Sequence, residues 1–483
     1  MTFAGFCSIL DRQVLECASP LALWISRADA PPEQSPSKQK RQRTGTLQNA
    51  AAPVVAAMVL LSLTSGAADS TNAHPIDLPT ALRLAGGQNL DVKIARERLA
   101  EAKANHSAAL AQFFPWLAPG VTYRQHDDKL QDVAGNIIDV NKYSYAPGAT
   151  LAAQVDIGDA LYKTLAARQL ANAANHALEA QRQDSVLAAA QGYFDLSLAQ
   201  AAVGVAKESL RINADYEAQI QHALSAGIAF KGDALRVTVQ KERSQLAVRQ
   251  AIEQQRTAAA RLAQVLRLDP VVELVPQDSD LSPLTLIETN AALDSLVQQG
   301  LALRPELKQS RSFLAAATDA KSGATYGPLI PSLGAQAFFG GLGGGRSGVP
   351  DTFGPQEDYF IGATWRIGPG GLGDFTRIRA SESRLKSAEL SVEKLRDDIT
   401  RQIVEAVIRW QSLGDQLATA QRALAAAEEG LRLAQQRKEF AVGVVLENIQ
   451  AEQDLTRARL EYLRAIAQFN QAQYVLRKAT GKL

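Results

Sequence analysis

The chain has 483 residues, and its 51 lysines and arginines almost balance its 50 aspartates and glutamates, giving a formal net charge of +1. Such a balance creates no overall field that would attract nucleic acid, which excludes a general nucleic-acid-binding role. The only cysteines are Cys7 and Cys17. If the leader described below is removed, the mature chain has no thiol for metal, redox or nucleophilic chemistry, and no disulfide.

Residues 1–75 are predicted to be a leader and signal peptide region. A basic run at 38–43 precedes an apolar stretch at 50–63, and small residues follow at 65–68. This order is typical of an export signal. A transmembrane anchor is the alternative, but about 14 apolar residues are too few for a hydrocarbon core of about 30 Å. No other stretch is a candidate spanning helix, so a membrane form of this chain would have to span the bilayer with strands.

The rest of the sequence repeats one pattern at an interval of about 215 residues, far above the ~20–50 residues of a solenoid repeat. Three pairs of landmarks keep this interval: 89–92 with 304–307, Pro115 with Pro331, and Gly227 with Gly443. Length alone suggests about three domains. The repetition instead predicts two copies of one unit, at 76–283 and 284–483.

The first copy is predicted to open with helices. Pro79 suits the first turn of a helix, which we expect Gly86-Gly87 to interrupt. A second helix is predicted from Asn89 to about Ala111, where apolar residues recur among charges. The proline-punctuated stretch at 270–283 is predicted to be the linker between the copies.

Each copy is also predicted to contain a pair of strands. In the first copy they lie at 121–126 and 143–157, around a polar loop of about 15 residues. In the second they lie at 333–339 and 359–367, around a glycine-rich loop from 340 to 357. Aromatic residues near the strand ends suit a girdle at a bilayer surface. A soluble hairpin packed on its own core is the alternative.

Very long helices are predicted for the remainder, because 148–269 and 370–483 contain no proline. A helix of about 60 residues would be about 90 Å long, more than a single globular core can cover. Apolar residues recur every three or four positions along 392–410, as in helices packed like a coiled coil. We predict two antiparallel helices in each tract, turning near Gly227 and Gly443.

Two other patterns do not support a chemical site. Residues 368–373 form a G-x-G-x-x-G, but a dinucleotide fold would return to a parallel strand within about 30 residues. We interpret this segment as a flexible joint between a strand and a helix. The five histidines lack metal-ligand spacing, and no Ser/His/Asp arrangement is indicated, so neither a cofactor nor an enzymatic activity is expected.

The two helix turns carry the most distinctive polar residues, including Asp233 in the first copy and Glu447 in the second. They are either ordinary helix–helix turns or the far tip of the helical tract. At such a tip, a ring of carboxylates selects cations and contributes to gating.

The ordered set of landmarks, present twice over 76–483, resembles the TolC family of outer membrane efflux proteins. The resemblance implies a mixed α and β, internally duplicated fold. Long antiparallel helices would form an α-barrel in the periplasm, and four strands per protomer would contribute to a trimeric β-barrel in the outer membrane. It also implies a homotrimer that contacts outer membrane lipid and docks with a periplasmic adaptor protein and an inner-membrane transporter.

The resemblance further implies an aperture at the periplasmic tip. Counting back from Gly481 places the family's two acidic tip positions at Glu447 and Gln450, and the second has lost its charge. Counting forward from Gly443 gives Ile449 and Glu452, because this turn is two residues short. We prefer the backward count.

In the turn of the first copy, Asp233 matches an acidic position of the family. Phe440 stands where the family has a tyrosine, and Val445 where it has a basic residue. A tyrosine–arginine latch is therefore not expected, and the ring of carboxylates should be thinner than in the family.

The sequence is best interpreted as a passive exit channel of a tripartite efflux or type I secretion system. The main alternative is a soluble periplasmic helical-hairpin adaptor or scaffold protein, although an adaptor normally has one helical hairpin and β-rich flanking domains. An exported enzyme is a further alternative, which the absence of a site constellation disfavours.

Overall fold

The structure is a computed structural model that describes residues 73–277, 280–288, 292–346, 348–439 and 445–483. Within these ranges the helices and strands follow one another as β1 (Ala73–Ile76), α1 (Leu78–Gln88), α2 (Leu90–Ala111), β2 (Trp116–His126), β3 (Lys129–Gln131), β4 (Ile137–Asp139), β5 (Lys142–Asp156), α3 (Ile157–Ser225), α4 (Lys231–Leu266), β6 (Glu273–Pro276), α5 (Leu293–Leu303), α6 (Pro305–Tyr326), β7 (Ser332–Arg346), β8 (Thr352–Thr364), α7 (Phe375–Glu439) and α8 (Val445–Ala479). A short 3₁₀ turn, Gly327–Leu329, follows α6. Residues 1–72 of the predicted leader lie outside the described part of the chain.

A four-stranded antiparallel sheet joins two similar halves in the order β2-β5-β7-β8. The elements α1, α2, β2, β5, α3 and α4 recur in the same order as α5, α6, β7, β8, α7 and α8. The pairing of β5 with β7 is the seam between the halves. The outer strands β2 and β8 are each paired on one side only within this sheet.

Two long helical hairpins extend from the sheet, as the proline-free tracts predict. Helices α3 and α7 have 69 and 65 residues, which corresponds to about 100 Å each. Helix α4 returns along α3, and α8 returns along α7. Gly227 has a φ of +73° at the first turn, a conformation that glycine adopts without strain. In the described part of the chain, no helix combines the length and the hydropathy needed to cross a membrane.

The apolar core is split between the two halves. In the first, α1 packs across α3 and α4 around buried Leu196, Leu262 and Leu266. In the second, α5 and α6 pack on α7 and α8 around buried Ile403 and Leu476. The short helices therefore stabilise the middle of each long hairpin by covering its apolar face.

The prediction of a glycine-rich loop from 340 to 357 is wrong, because β7 continues to Arg346 and β8 begins at Thr352. A Cβ on Gly343 would lie 2.4 Å from the ring of Tyr145, and one on Gly341 would lie 2.2 Å from the ring of Phe353. These glycines leave room for aromatic rings of the neighbouring strands, which a hairpin of bulky residues could not do.

The predicted break in the first helix is also misplaced. Helix α1 continues through Gly86-Gly87 to Gln88. The break falls at Asn89, whose Oδ1 accepts a hydrogen bond of 2.8 Å from the Asp91 amide. The Asn89 amide group donates one of 2.9 Å to the Val265 carbonyl of α4. A cap that is also anchored to a second helix fixes this boundary.

Several other boundaries differ from the prediction. Strand β2 begins at Trp116 rather than Val121, and it includes Pro119, which an edge strand tolerates. The polar loop of the first hairpin contains the short antiparallel pair β3 and β4. The predicted linker contains β6, which pairs in parallel with β1. Strands of three or four residues are too short for the alternation that identifies longer ones in a sequence.

The segment 368–373, predicted as a flexible joint, is a hydrogen-bonded turn. The Asp374 carboxylate accepts bonds from the Thr376 hydroxyl (2.6 Å), the Gly370 amide (2.9 Å) and the Arg377 amide (3.0 Å). These bonds, with the Thr376 hydroxyl foremost, lower the pKa of Asp374 to about 2. Gly368, Gly370 and Gly373 have positive φ angles, so they serve the turn rather than a nucleotide.

The start of α3 has its own close contact. A Cβ on Gly158 would lie 2.1 Å from the carbonyl oxygen of Gly327. We therefore expect Gly158→Ala to destabilise the protein by about 1–3 kcal/mol, because the backbone must move. Gly204→Ala is the matched control within the same helix, since no atom lies within 4 Å of its Cβ position. It should be neutral or stabilise by up to about 1 kcal/mol. Thermal unfolding of the two variants in detergent checks this, and equal melting temperatures would contradict it.

The turn at Asp374 should depend on pH. Because its pKa is lowered from an ordinary value of 3.8 to about 2, the stability it contributes is complete above pH 3.8 and is lost as the pH falls through 2. Asp374→Ala should cause the same loss at neutral pH. Hydrogen exchange at the Gly370 and Arg377 amides measures it, and unchanged protection in the variant would contradict this role.

Candidate functional site at the helix-hairpin tips

The first tip is the turn between α3 and α4. Around Gly227, the amides of Ile228 and Ala229 both bond to the Ala223 carbonyl, at 2.9 and 3.2 Å. Ile228 and Phe230 are 83% and 74% exposed. A tight turn thus presents two apolar side chains at the end of the hairpin.

Asp233 lies in the first turn of α4, just behind this tip. Its carboxylate accepts a hydrogen bond of 3.2 Å from Arg236, one helical turn further along. A negative charge is favourable at this position because the amide groups of a helix N-terminus are unpaired.

The second tip joins α7 to α8. The predicted tip residues Phe440 and Gly443 lie outside the described residues. On either side, Arg437 of α7 donates a hydrogen bond of 2.7 Å to the carboxylate of Glu447 in α8. Both side chains remain partly exposed, so this ion pair ties the hairpin together with little expected effect on stability.

Helix α8 presents two different sides near this tip. Glu447 and Gln450 are one turn apart; Glu447 is partly exposed and Gln450 is exposed. Ile449 and Glu452 are buried, and Ile449 packs with Ile220, Ala234 and Val237. The residues of the backward count are therefore accessible, whereas those of the forward count face the first hairpin.

Tyr216 of α3 lies between the two tips. Burial is the main cause that raises its pKa, and the negative charge of Asp233 raises it further. A hydrogen bond with Asn448 acts in the opposite direction. The side chain therefore lies close to both α4 and α8. The sequence analysis did not identify Tyr216 or Asn448, although Asn448 interrupts an apolar stripe of α8, which is the available signal.

A buried polar layer lies one turn further from the tips. Glu452 is 4% exposed, and its Oε1 accepts hydrogen bonds from Ser209 (2.5 Å) and Thr456 (2.9 Å). Its Oε2 is buried and makes no hydrogen bond with the described residues. Asn213 donates to Ser244 at 3.0 Å. Together these side chains connect α3, α4 and α8.

The carboxylates of the tips are engaged in ion pairs. Asp233 pairs with Arg236, and Glu447 with Arg437, so each carboxylate is bonded within its own hairpin. Among the described residues, no group of three or more His, Cys, Asp or Glu side chains could hold a metal ion. What the arrangement supplies is two partly exposed carboxylate–arginine pairs at the ends of two long hairpins.

Comparison with known proteins agrees with this geometry. Residues 296–482 match the family model described as outer membrane efflux protein. No curated protein sequence matches the chain significantly. A membrane protein from Pseudomonas aeruginosa has the same fold with a TM-score of 0.72, 20% identity, and coverage of 84% of this chain and 93% of its own.

Two further solved structures have similar scores. The outer-membrane channel OprN has a TM-score of 0.69 at 20% identity, over 84% of this chain and 90% of its own. The CmeC outer membrane channel of Campylobacter jejuni has a TM-score of 0.69 at 16% identity, over 84% of this chain and 85% of its own. Residues 296–482 thus resemble the outer membrane efflux protein family, and over most of its length the chain shares the fold of these solved outer-membrane channels.

Proposed function

We propose that three copies of this chain form the outer-membrane exit channel of a tripartite efflux or type I secretion system. The sheet lies in the outer membrane, and the helical hairpins extend into the periplasm. There they meet a periplasmic adaptor protein and an inner-membrane transporter. The transporter supplies the energy, and the channel itself catalyses no reaction.

The difference between the two faces of the sheet is the observation that carries this proposal. The register pairs odd-numbered residues with odd-numbered residues across all four strands, so they share one face. That face is almost entirely apolar and includes exposed Val121, Tyr359 and Ile361. The opposite face mixes serine, threonine, glutamine and charged residues with glycine, alanine and four bulky apolar side chains. An apolar outside and a polar inside are what a strand-built channel in lipid requires.

The edges of the sheet explain why several copies are needed. Strands β2 and β8 leave one row of backbone groups unpaired, and lipid cannot hydrogen-bond those groups. Pairing β8 of one copy with β2 of the next removes both edges at once. Three copies would supply twelve strands, enough to enclose a lumen.

At the other end, the hairpin tips are proposed to form the periplasmic aperture. Gly227 makes the turn of the first tip, and Glu447 with Asp233 is proposed to provide the negative charge. Gln450, one turn from Glu447 on the accessible side of α8, contributes no charge. A single ring of Glu447 carboxylates is thus proposed to give moderate cation selectivity.

The adaptor alternative does not account for the sheet. A periplasmic adaptor would leave the apolar face and both outer strands in water, where they promote aggregation. The whole chain is instead consistent with a channel, because the duplicated hairpins and the two-faced sheet occur together.

Purified protein reconstituted in planar bilayers should conduct ions with a preference for cations. Glu447→Gln should lower the cation-to-anion permeability ratio by about twofold or more and weaken block by divalent cations, because one charge per copy is lost. Gln450→Glu should change both quantities in the opposite direction, since it adds a second ring of charge. Single-channel recordings measure both.

Glu452→Gln is the matched control, because it removes a carboxylate of the same helix that is buried against α3. It should leave selectivity unchanged. If Glu447→Gln and Gln450→Glu also leave selectivity unchanged, the aperture assignment is wrong. If the unaltered protein gives no conductance at all, the channel proposal itself fails.

A further inference from the structure

Two polar side chains interrupt the apolar face of the four-stranded sheet. They are Gln125 on β2 and Glu357 on β8, and every other odd-numbered residue of the four strands is aliphatic, aromatic, proline or glycine. Both exceptions lie on the outer strands, and none lies on β5 or β7. This distribution indicates that their purpose lies beyond the edges of the sheet.

Each of the two residues is held by a tyrosine of its own strand. Tyr123 donates a hydrogen bond of 2.9 Å to the side-chain Oε1 of Gln125, and the Gln125 amide group donates one of 2.8 Å to Asp127. Tyr359 donates one of 3.0 Å to Oε2 of Glu357. In this way both edges carry a tyrosine next to a polar group, on the face that the proposed channel turns toward lipid.

A carboxylate on that face is unfavourable unless it has a partner, because hydrocarbon offers no hydrogen bonds. Across β7 and β8, the neighbour of Glu357 is Phe339, which supplies none. On its other side, the edge of β8 pairs with no strand of the described residues. A partner for its second oxygen must come from the strand that pairs there.

Barrel geometry restricts which residue that is. Four strands about 4.8 Å apart are about 19 Å wide. A strand tilt of about 35–45° staggers the next copy by about 13–19 Å, which is about four to six residues. The apolar face must continue from one copy to the next, and side chains alternate between the faces of a strand. The stagger is therefore an even number of residues, either four or six.

The direction of the stagger follows from the strand lengths. Within one sheet, a line of paired residues crosses all four strands from Leu117 on β2 to Tyr359 on β8, by way of Leu151 and Ala337. A stagger of four in one direction sets Trp116 of the partner subunit against Thr364, so the whole of β2 is paired. The same stagger in the other direction leaves more than half of β2 unpaired. In the favourable direction, Glu357 lies opposite Tyr123 of the partner subunit at a stagger of four, and opposite Gln125 of the partner subunit at a stagger of six.

We propose that Glu357 of one copy forms a hydrogen-bonded lock with the Tyr123–Gln125 pair of the next copy, on the lipid side of the seam between β8 and β2. The lock rests on the proposed trimeric channel and specifies how its copies recognise one another. At a stagger of six the carboxylate meets the Gln125 amide group, which has two N–H groups and donates one of them to Asp127. At a stagger of four it meets the Tyr123 phenol, whose single O–H would turn from Gln125 to the carboxylate. A second copy of this chain is thus the partner that fits the edge.

Disulfide trapping tests the register directly, because Cys7 and Cys17 of the predicted leader are the only cysteines of the chain. Glu357→Cys combined with Tyr123→Cys or with Gln125→Cys should give disulfide-linked dimers and trimers on non-reducing gels. Glu357→Cys with Leu117→Cys is the control, since Leu117 shares the face of β2 but lies about 20–27 Å from either expected position. Linkage in the control, or in neither test pair, would overturn the lock.

Glu357→Leu should change the dissociation rate of the trimer in opposite directions, depending on whether Glu357 only faces lipid or locks the seam. If this carboxylate merely faces lipid, Glu357→Leu should slow dissociation of the trimer in detergent. If it locks the seam, the same change should speed dissociation by about tenfold or more, the scale of losing a hydrogen bond to a charged group. Glu357→Gln, which keeps an accepting oxygen, should lie between Glu357→Leu and the unaltered protein.

These outcomes separate the lock from the proposed channel. A purified particle whose mass is not that of three copies contradicts the channel and, with it, the lock. A trimer that fails to cross-link at either test pair, or that Glu357→Leu stabilises, contradicts the lock alone.

Discussion

A sheet of four strands with two unpaired edges and one apolar face is the constraint on which the rest of the structure depends. Such a sheet is unfavourable in water, where its apolar face would be exposed, and in lipid, where the backbone groups of its edges would be unpaired. Closure with further copies satisfies both conditions. In the proposed channel the sequence duplication would serve this closure, because each half contributes one hairpin and the β5–β7 pairing joins them into a wider unit.

The helical part is organised by a different balance. Helices of about 100 Å exceed any single core, so the short helices α1 and α5 cover the middle of the hairpins. Toward the tips the packing becomes polar, with Glu452 and Asn213 buried among hydroxyl groups. One oxygen of the Glu452 carboxylate is buried without a hydrogen bond from the described residues, and an unsatisfied buried polar group is unfavourable. The polar packing thus lies toward the end that is proposed to form the aperture.

Much of this arrangement could be predicted from the sequence, because its strongest signals are local and repeated. Absence of proline over more than 100 residues predicts the long hairpins, and Gly227 marks a turn that only a positive φ permits. The glycines from 340 to 345 were interpreted wrongly as a loop. Their purpose appears only when Tyr145 and Phe353 of neighbouring strands are placed beside them, and strand register cannot be deduced from composition.

At the hairpin tips, too, residues that depend on sequence position could be predicted, and residues that depend on the packing of distant helices could not. Counting back from Gly481 predicted Glu447 and Gln450 as the tip positions, and in the structure both are accessible while Ile449 and Glu452 are buried. Tyr216 and the polar layer were missed, because they depend on which faces of α3 and α8 meet. The polar residues Gln125 and Glu357 gained meaning only from the strand order, which puts them at the two edges.

Electron cryomicroscopy of the detergent-purified protein tests the central claim most directly. The account predicts a particle with threefold symmetry, in which three four-stranded sheets close into one ring above a helical tunnel. A monodisperse single chain, with both outer strands unpaired and stable without detergent, would contradict it.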